Sequence, residues 1–508
     1  MRLATLLHSL TNRQIQGHYN RSRVFCEDLL MAPALVWLRR NLRLHDNATL
    51  TAAAECGNPV ILVYVLDELD EGGASRWWLH HSLTNLDKDL RNRGGSLLLL
   101  SGPPEIELAR AAEQCGAERL FFSRRYEPQA RCQEESISAT LNAQIEIHAE
   151  DDNYLNHPVR PMTKSGTPFR VFTPYWRAAS ALPQPPRPLP VPDDIRFAEH
   201  DLESLRLEDL DLLPSEPDWA QGLRDSWTPG EQGALRRLDE LESAARYYAE
   251  QRDRPDLDTT SRLSPHLHFG EVSARQVWHA LQHQAAHANS STGAEALCRQ
   301  LYWRDFSAYL LFHFPTLPKK PLRKEFGYFP WSDDSESLRA WQKGMTGYPI
   351  VDAGMRQLWA TGWMHNRVRM IVASFLVKDL LIPWQQGADW FLDTLVDADL
   401  ANNSAGWQWV AGCGTDAAPY FRIFNPVLQG KKFDPAGDYV RRWVPELAAM
   451  PDEHIHAPWG ASIETQISCG VVIGDDYPRP IVDHGKARQN ALAAYQMTRS
   501  AMSADSAD

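Results

Sequence analysis

Between Ala34 and about Ala149, short apolar runs alternate with segments of helical periodicity, and this alternation constrains the fold more than any other feature. Leu35-Val36-Trp37-Leu38, Val60 to Leu66, Leu97 to Leu100, Leu120-Phe121-Phe122 and Ile145-Glu146-Ile147 read as strands. Trp77 to Arg93 and Glu105 to Gln114 read as helices between them. Strands joined through helices pair in parallel, so the pattern predicts a doubly wound α/β domain over residues 32–160, with helices on both faces of its sheet. No G-x-G-x-x-G follows the first strand, so an ordinary dinucleotide site is not supported there.

The pattern then changes twice. Residues 161–230 include proline-dense stretches such as Leu182-Pro183-Gln184-Pro185-Pro186-Arg187-Pro188, which cannot easily continue helix or sheet, and they read as a linker wrapping the surface. From Glu231 to about residue 490 the chain is helical in pattern, which predicts a second, all-α domain. Residues 491–508 read as a C-terminal tail, helical at first with a disordered small-residue end. Residues 1–31 carry Arg2, Arg13, Arg21 and Arg23 with few acids and no long apolar core, and read as a disordered extension or an upstream start ahead of Met31.

At 508 residues two domains are expected. No uncharged apolar run reaches the ~18 residues of a membrane span; the best, Met370 to Ile382, is broken by Lys378 and Asp379. Seven scattered cysteines lack metal-ligand spacing, so no metal site or iron–sulfur cluster is expected, and a reducing cytoplasm fits. A formal net charge of −13 argues against a protein that coats nucleic acid but leaves room for a locally basic groove.

Within the helical half, Trp363-Met364-His365-Asn366-Arg367-Val368-Arg369-Met370, Asp397-Ala398-Asp399-Leu400-Ala401-Asn402-Asn403 and Trp407-Gln408-Trp409 set charged and amide side chains among apolar residues. Buried polar groups are costly without partners, so these segments point to a large polar ligand. Thr260-Ser261-Arg262-Leu263-Ser264-Pro265 is a helix start whose hydroxyls cap free amides, or an anion site at a helix N-terminus. Trp37-Leu38-Arg39-Arg40-Asn41-Leu42-Arg43-Leu44-His45-Asp46-Asn47 reads as a βα loop with a capping Asp or Asn. The chain holds 18 tryptophans; any one of them alone reads as core.

Together these motifs resemble the DNA photolyase and cryptochrome family over nearly everything after Ala34, most closely its bacterial cyclobutane pyrimidine dimer photolyases. The resemblance implies FAD, active as FADH⁻, and light-driven splitting of pyrimidine dimers flipped out of UV-damaged single- or double-stranded DNA. It implies that Tyr248, Thr260, Ser261, Arg262, Leu263 and Ser264 clamp the FAD phosphates. Trp363, Asn366, Arg369, Asp397, Asp399 and Asn403 would line the isoalloxazine, with Arg369 and Asp397 as an ion pair and Asn403 facing flavin N5. Trp303 and Trp409 would stack on the lesion, each base contact being worth ~1–3 kcal/mol, with Gln300 and Met370 beside it. Bacterial relatives often carry Glu where this chain has Gln300. Trp407, Trp384 and Trp331 match the electron-transfer chain, from flavin to surface. Arg252, Asn366, Arg367 and Arg422, with Lys431 and Lys432, would meet DNA. His45 and Lys319 would hold an antenna, 5,10-methenyltetrahydrofolate first, with 8-hydroxy-deazaflavin or no antenna as the alternatives; the loop Tyr126-Glu127-Pro128-Gln129-Ala130-Arg131 lacks the Asn-Glu pair frequent in folate-binding members. Asn-Arg after His365, and Met370 where (6-4) enzymes use histidine, favour cyclobutane dimers. The alternative is a blue-light receptor with the same flavin site, and a third reading is a flavoprotein that binds undamaged DNA. A monomer is expected.

Overall fold

A computed structural model describes residues 31–67, 72–141, 144–286, 291–420 and 422–505. The expected N-terminal extension, up to residue 30, lies outside them. Five strands, β1 (Ala34–Leu38), β2 (Val60–Leu66), β3 (Leu97–Ser101), β4 (Arg119–Ser123) and β5 (Glu146–Glu150), form one parallel sheet in the order β3-β2-β1-β4-β5. Between them run α1 (Ala48–Glu55), α2 (Gly73–Arg91), α3 (Pro104–Cys115) and α4 (Pro128–Leu141). Alternation of side chains along each strand separates two cores. Val36, Leu38 and Leu62 pack with Trp77 and Trp78 of α2, whereas Leu35, Trp37 and Ile61 pack with Leu108 of α3 and Ile137 of α4. Both faces are therefore covered, which is why β2 is buried along its whole length. The architecture is the expected doubly wound sheet followed by an all-helical half.

The segment expected to be a surface linker does more than wrap. Its helix α5 (Phe172–Ala179) buries Phe172 and Tyr175 in one core of the helical half, while Val191, Leu210 and Leu212 join the core beside α2. Its prolines prevent long regular elements without preventing burial.

The helices that follow include α6 (Glu231–Asp239), α7 (Leu241–Gln251), α8 (Ser264–Phe269), α9 (Ala274–Ala285), α10 (Ser291–His313), α11 (Pro349–Thr361), α12 (Asn366–Ser374), α13 (Trp384–Thr394), α14 (Leu400–Ala411), α15 (Pro426–Phe433) and α16 (His484–Asp505). The last crosses the position where a tail was expected to begin. Close packing of α13 and α14 depends on Gly387, because a Cβ there would lie 2.1 Å from the Trp407 ring.

The α/β and helical halves are joined by buried polar contacts. The fully buried carboxylate of Asp46 accepts from the Leu189 backbone at 2.8 Å, from Arg275 Nε at 3.0 Å and from the Ser273 hydroxyl. Asp305 of α10 accepts from the backbone amides of Leu155 and Asn156 at 3.2 and 2.9 Å. Burial raises its carboxyl to about 6 against those hydrogen bonds and the charge of Arg304.

Candidate functional site

A cavity of about 410 Å³ opens in the helical half, within the range of small-molecule sites. Helical spacing explains how scattered motifs converge on it. On α10, Leu297, Gln300, Leu301 and Arg304 recur at three- and four-residue steps and share one face, with Trp303 at its edge. On α12 the lining residues are Asn366, Arg369, Met370 and Ala373; on α14 they are Asn402, Asn403, Gly406, Trp407 and Val410, below Asp399 at the helix start. Tyr248, Arg252 and the run from Thr260 to Ser264 close another side, and Trp363, Asp397, Phe391 and Leu395 complete the wall.

The polar groups are held in fixed orientations. Arg369 Nη2 lies 3.0 and 2.9 Å from the two Asp397 oxygens, and its Nε donates to the Met364 carbonyl at 2.8 Å. Asn403 Nδ2 donates to the Ala388 carbonyl at 3.0 Å. A carbonyl can only accept, so the amide orientation is forced and Oδ1 is left as an acceptor. Asp399 caps α14 by accepting from the Asn402 amide at 2.7 Å. Burial opposes its ionisation, but hydrogen bonding and charge from His268, with Arg304 adding to them, keep its carboxyl well below the usual range. Arg40 Nη1 lies 2.7 Å from His268 Nε2. On the other side of the ring, His268 Nδ1 lies 3.9 Å from Asp399 Oδ2.

Arg262 takes the left-handed conformation, φ +50°, and its guanidinium sits 4.3 Å from the Trp227 ring centre and 5.4 Å from that of Trp363. Its neighbours Ser261 and Leu263 line the cavity. Trp303 stacks on Phe172 of α5 at 3.6 Å and 7°. Trp407 is buried against Phe391, ring centres 5.1 Å apart.

Not every residue singled out from sequence reaches the cavity. Trp409 does not line it; it is half-buried against the helical core. Arg367 and Arg422 lie outside the lining, Arg367 ion-paired with Asp253 at 2.9 Å and Arg422 exposed. Trp384 is fully buried and Trp331 half-buried, packed on Phe329 at 4.4 Å. His45 Nδ1 lies 3.0 Å from Glu231 of α6, whereas Lys319 is exposed in the turn that follows α10, with its carbonyl accepting from Gln385. The two share no partner, and neither lines the cavity. Conversely, His268, Arg304, His365, Phe391 and Asn402 line it without having been singled out. His268 and Arg304 sit at helical spacing from chosen neighbours, which was the usable signal.

Two family models match the chain: "DNA photolyase" over residues 34–193 and "FAD binding domain of DNA photolyase" over residues 297–497. A deoxyribodipyrimidine photo-lyase of Agrobacterium fabrum is 49% identical over 471 residues, covering 92% of this chain and 98% of that protein. The chain belongs to the DNA photolyase family. A solved bacterial class III photolyase from Agrobacterium tumefaciens shares the photolyase architecture with a TM-score of 0.90 and 48% identity, over 92% of this chain and 98% of its own. Cryptochrome-1 of Arabidopsis thaliana is 38% identical, over 90% of this chain and 69% of its own length. As a member of this family the chain carries an FAD-binding domain, and the cavity suits such a ligand. Its lining combines the amide and charged groups of Asn366, Arg369, Asp397 and Asn403 with apolar Phe391, Leu395 and Val410, and Thr260 to Ser264 line it at the start of α8. Among the described residues no helix is long and apolar enough to cross a membrane, and no cluster of potential metal ligands occurs.

Proposed function

We propose that this photolyase repairs cyclobutane pyrimidine dimers in UV-damaged DNA by light-driven electron transfer. One observation carries the reading: a single cavity brings the acceptor of Asn403, the Arg369–Asp397 pair and the Trp303 platform together. When bound, reduced FAD supplies the photoexcited electron that opens the dimer and takes it back.

The chain's own residues do the rest. Thr260, Ser261, Leu263 and Ser264 hold the phosphates, with Tyr248 nearby. Arg369 and Asp397 neutralise one another and would lie against the ring, so neither charge is left unpaired there. With its Nδ2 committed to the Ala388 carbonyl, Asn403 would offer Oδ1 as an acceptor to the ring N–H of the reduced cofactor, favouring that state. Asn366 and Asp399 complete the lining. Trp303, braced by Phe172, offers a flat face to the extruded dimer, and Gln300 and Met370 stand beside it without a group that must shuttle protons. Gln300 Nε2 donates to the Ala296 carbonyl at 3.0 Å, which leaves its oxygen for a base edge. Trp409 would reach the lesion only from the cavity's rim. Arg252, Arg367 and Arg422 take the DNA phosphates around the mouth. Trp407, Trp384 and Trp331 would pass electrons inward to photoreduce oxidised FAD, outside the repair turnover itself.

For the antenna we favour 5,10-methenyltetrahydrofolate over 8-hydroxy-deazaflavin or none, and read the protein as a cytoplasmic monomer. All the cysteines described are free, which suits a reducing compartment. A blue-light receptor role is the second reading, favoured by the likeness to cryptochrome-1. Purified, photoreduced protein mixed with UV-irradiated oligo(dT) and illuminated should restore thymine absorbance. No recovery despite bound reduced FAD would move the assignment to the receptor.

A further inference from the structure

The mouth of the cavity carries its own anions. Arg252 opens the segment Arg252-Asp253-Arg254-Pro255-Asp256-Leu257-Asp258, in which three carboxylates outnumber two guanidiniums. Asp256 is paired with Arg254 within the segment. Asp253 instead faces across to α12, its Oδ2 2.9 Å from Arg367 Nη2, while its other oxygen lies 3.9 Å from Arg252 Nε. Arg367 is fixed on its remaining sides. Its guanidinium lies over Phe433 of α15 at 4.4 Å, Nη1 is 3.8 Å from the Met370 sulfur, and Nε is buried. It is a rigid planar cation whose outward edge is already covered by a carboxylate, placed as a phosphate oxygen would be.

We propose that Asp253 is a built-in competitor of DNA. It occupies the edge of Arg367 that a backbone phosphate needs, so every strand that docks fully must displace it. The inference rests on reading Arg367 as a phosphate contact. The Asp253 side chain is partly exposed, so the displaced carboxylate can turn to solvent. Its effect is to lower affinity for damaged and undamaged DNA alike. Sound DNA is thereby held below saturation, and repaired product is released faster. A half-exposed ion pair of this kind is worth up to about a factor of five in affinity. Because an internal anion already neutralises Arg367, fewer counterions are released on binding than the number of phosphate contacts implies.

The opposite role for Asp253, orienting Arg367 to receive the phosphate, makes the contrary prediction, and one set of variants separates the two. Holoprotein carrying FAD is titrated in the dark against UV-irradiated and unirradiated oligo(dT) across a range of salt concentrations. Asp253→Asn should tighten binding to both by about three- to fivefold and steepen the slope of log affinity against log salt by about one. Asp253→Glu, which keeps the anion, should stay near the parent on both readouts. In an Arg367→Ala background the Asp253→Asn gain should vanish. Weaker or unchanged binding by Asp253→Asn, with Arg367→Ala still weakened, would overturn the competitor role while leaving Arg367 a phosphate contact. A gain that persists without Arg367 would also overturn it, leaving only general repulsion by the loop. If Arg367→Ala alone changes neither affinity nor slope, the reading of Arg367 itself fails.

Discussion

In the function we propose, individual side chains divide the work between repair and photoreduction. Trp384 is fully buried in the helical core and does not line the cavity, so its removal should leave substrate binding untouched. Trp384→Phe is expected to abolish photoreduction of oxidised FAD while protein reduced chemically with dithionite still repairs oligo(dT) dimers; loss of both activities would refute that division. His365 gives a second test, through pH. Its Nδ1 accepts from the Arg367 amide at 3.2 Å and caps α12. Burial lowers the imidazole to about 4, with Arg367 and Arg369 reinforcing the shift and Asp253 and Asp256 opposing it. The unfolded chain takes up this proton near pH 6.5 and the folded one only near 4. Protons therefore favour the unfolded state within that window: the stability is intact above about 6.5 and is lost on acidification, by roughly 3 kcal/mol in all. Thermal melts from pH 7 to pH 4.5 should show a steep acid limb that His365→Asn, a good cap without the proton site, flattens.

At the scale of elements, helix spacing converts sequence into a site. Gly387 lets Trp407 lie against α13, and Gly387→Ala should cost about 2–3 kcal/mol through overpacking, seen as a lower melting temperature and less flavin per polypeptide. The strands were legible because apolar runs with helical segments between them have one common solution; the first four appear within one residue of the reading at each end, and the fifth, read over 145–147, runs Glu146–Glu150. The ring of polar residues on α10, α12 and α14 was legible because buried charge needs a partner. Three-dimensional crossings were not. Trp409 follows Trp407 by two residues, and a helix turns neighbours at that spacing to different faces. His45 belongs to a loop whose partner, Glu231, is far along the chain, and no periodicity reports such a pairing. Proline content correctly excluded long helices from residues 161–230 but says nothing about which hydrophobic residues are buried.

At the scale of the molecule, an acidic protein of net charge −13 places Arg252, Arg262, Arg304 and Arg369 in the lining of one cavity. The same halves are tied by Asp46, whose charge is shared between the linker, Ser273 and Arg275. Replacing a buried carboxylate that serves an arginine strands the remaining partner. Asp46→Asn should therefore cost about 3 kcal/mol, measured as a fall in the urea midpoint. An unchanged midpoint would mean that apolar contacts alone unite the halves.

The stacking of Trp303 on Phe172 has a practical corollary for anyone building chimeras. The ring that underpins Trp303, the platform we propose for the lesion, is contributed from ahead of the helical half, in a stretch that resembles disposable tether. A graft spliced at residue 230 would import the catalytic chamber without its buttress, whereas a junction placed before Asp152 would carry both.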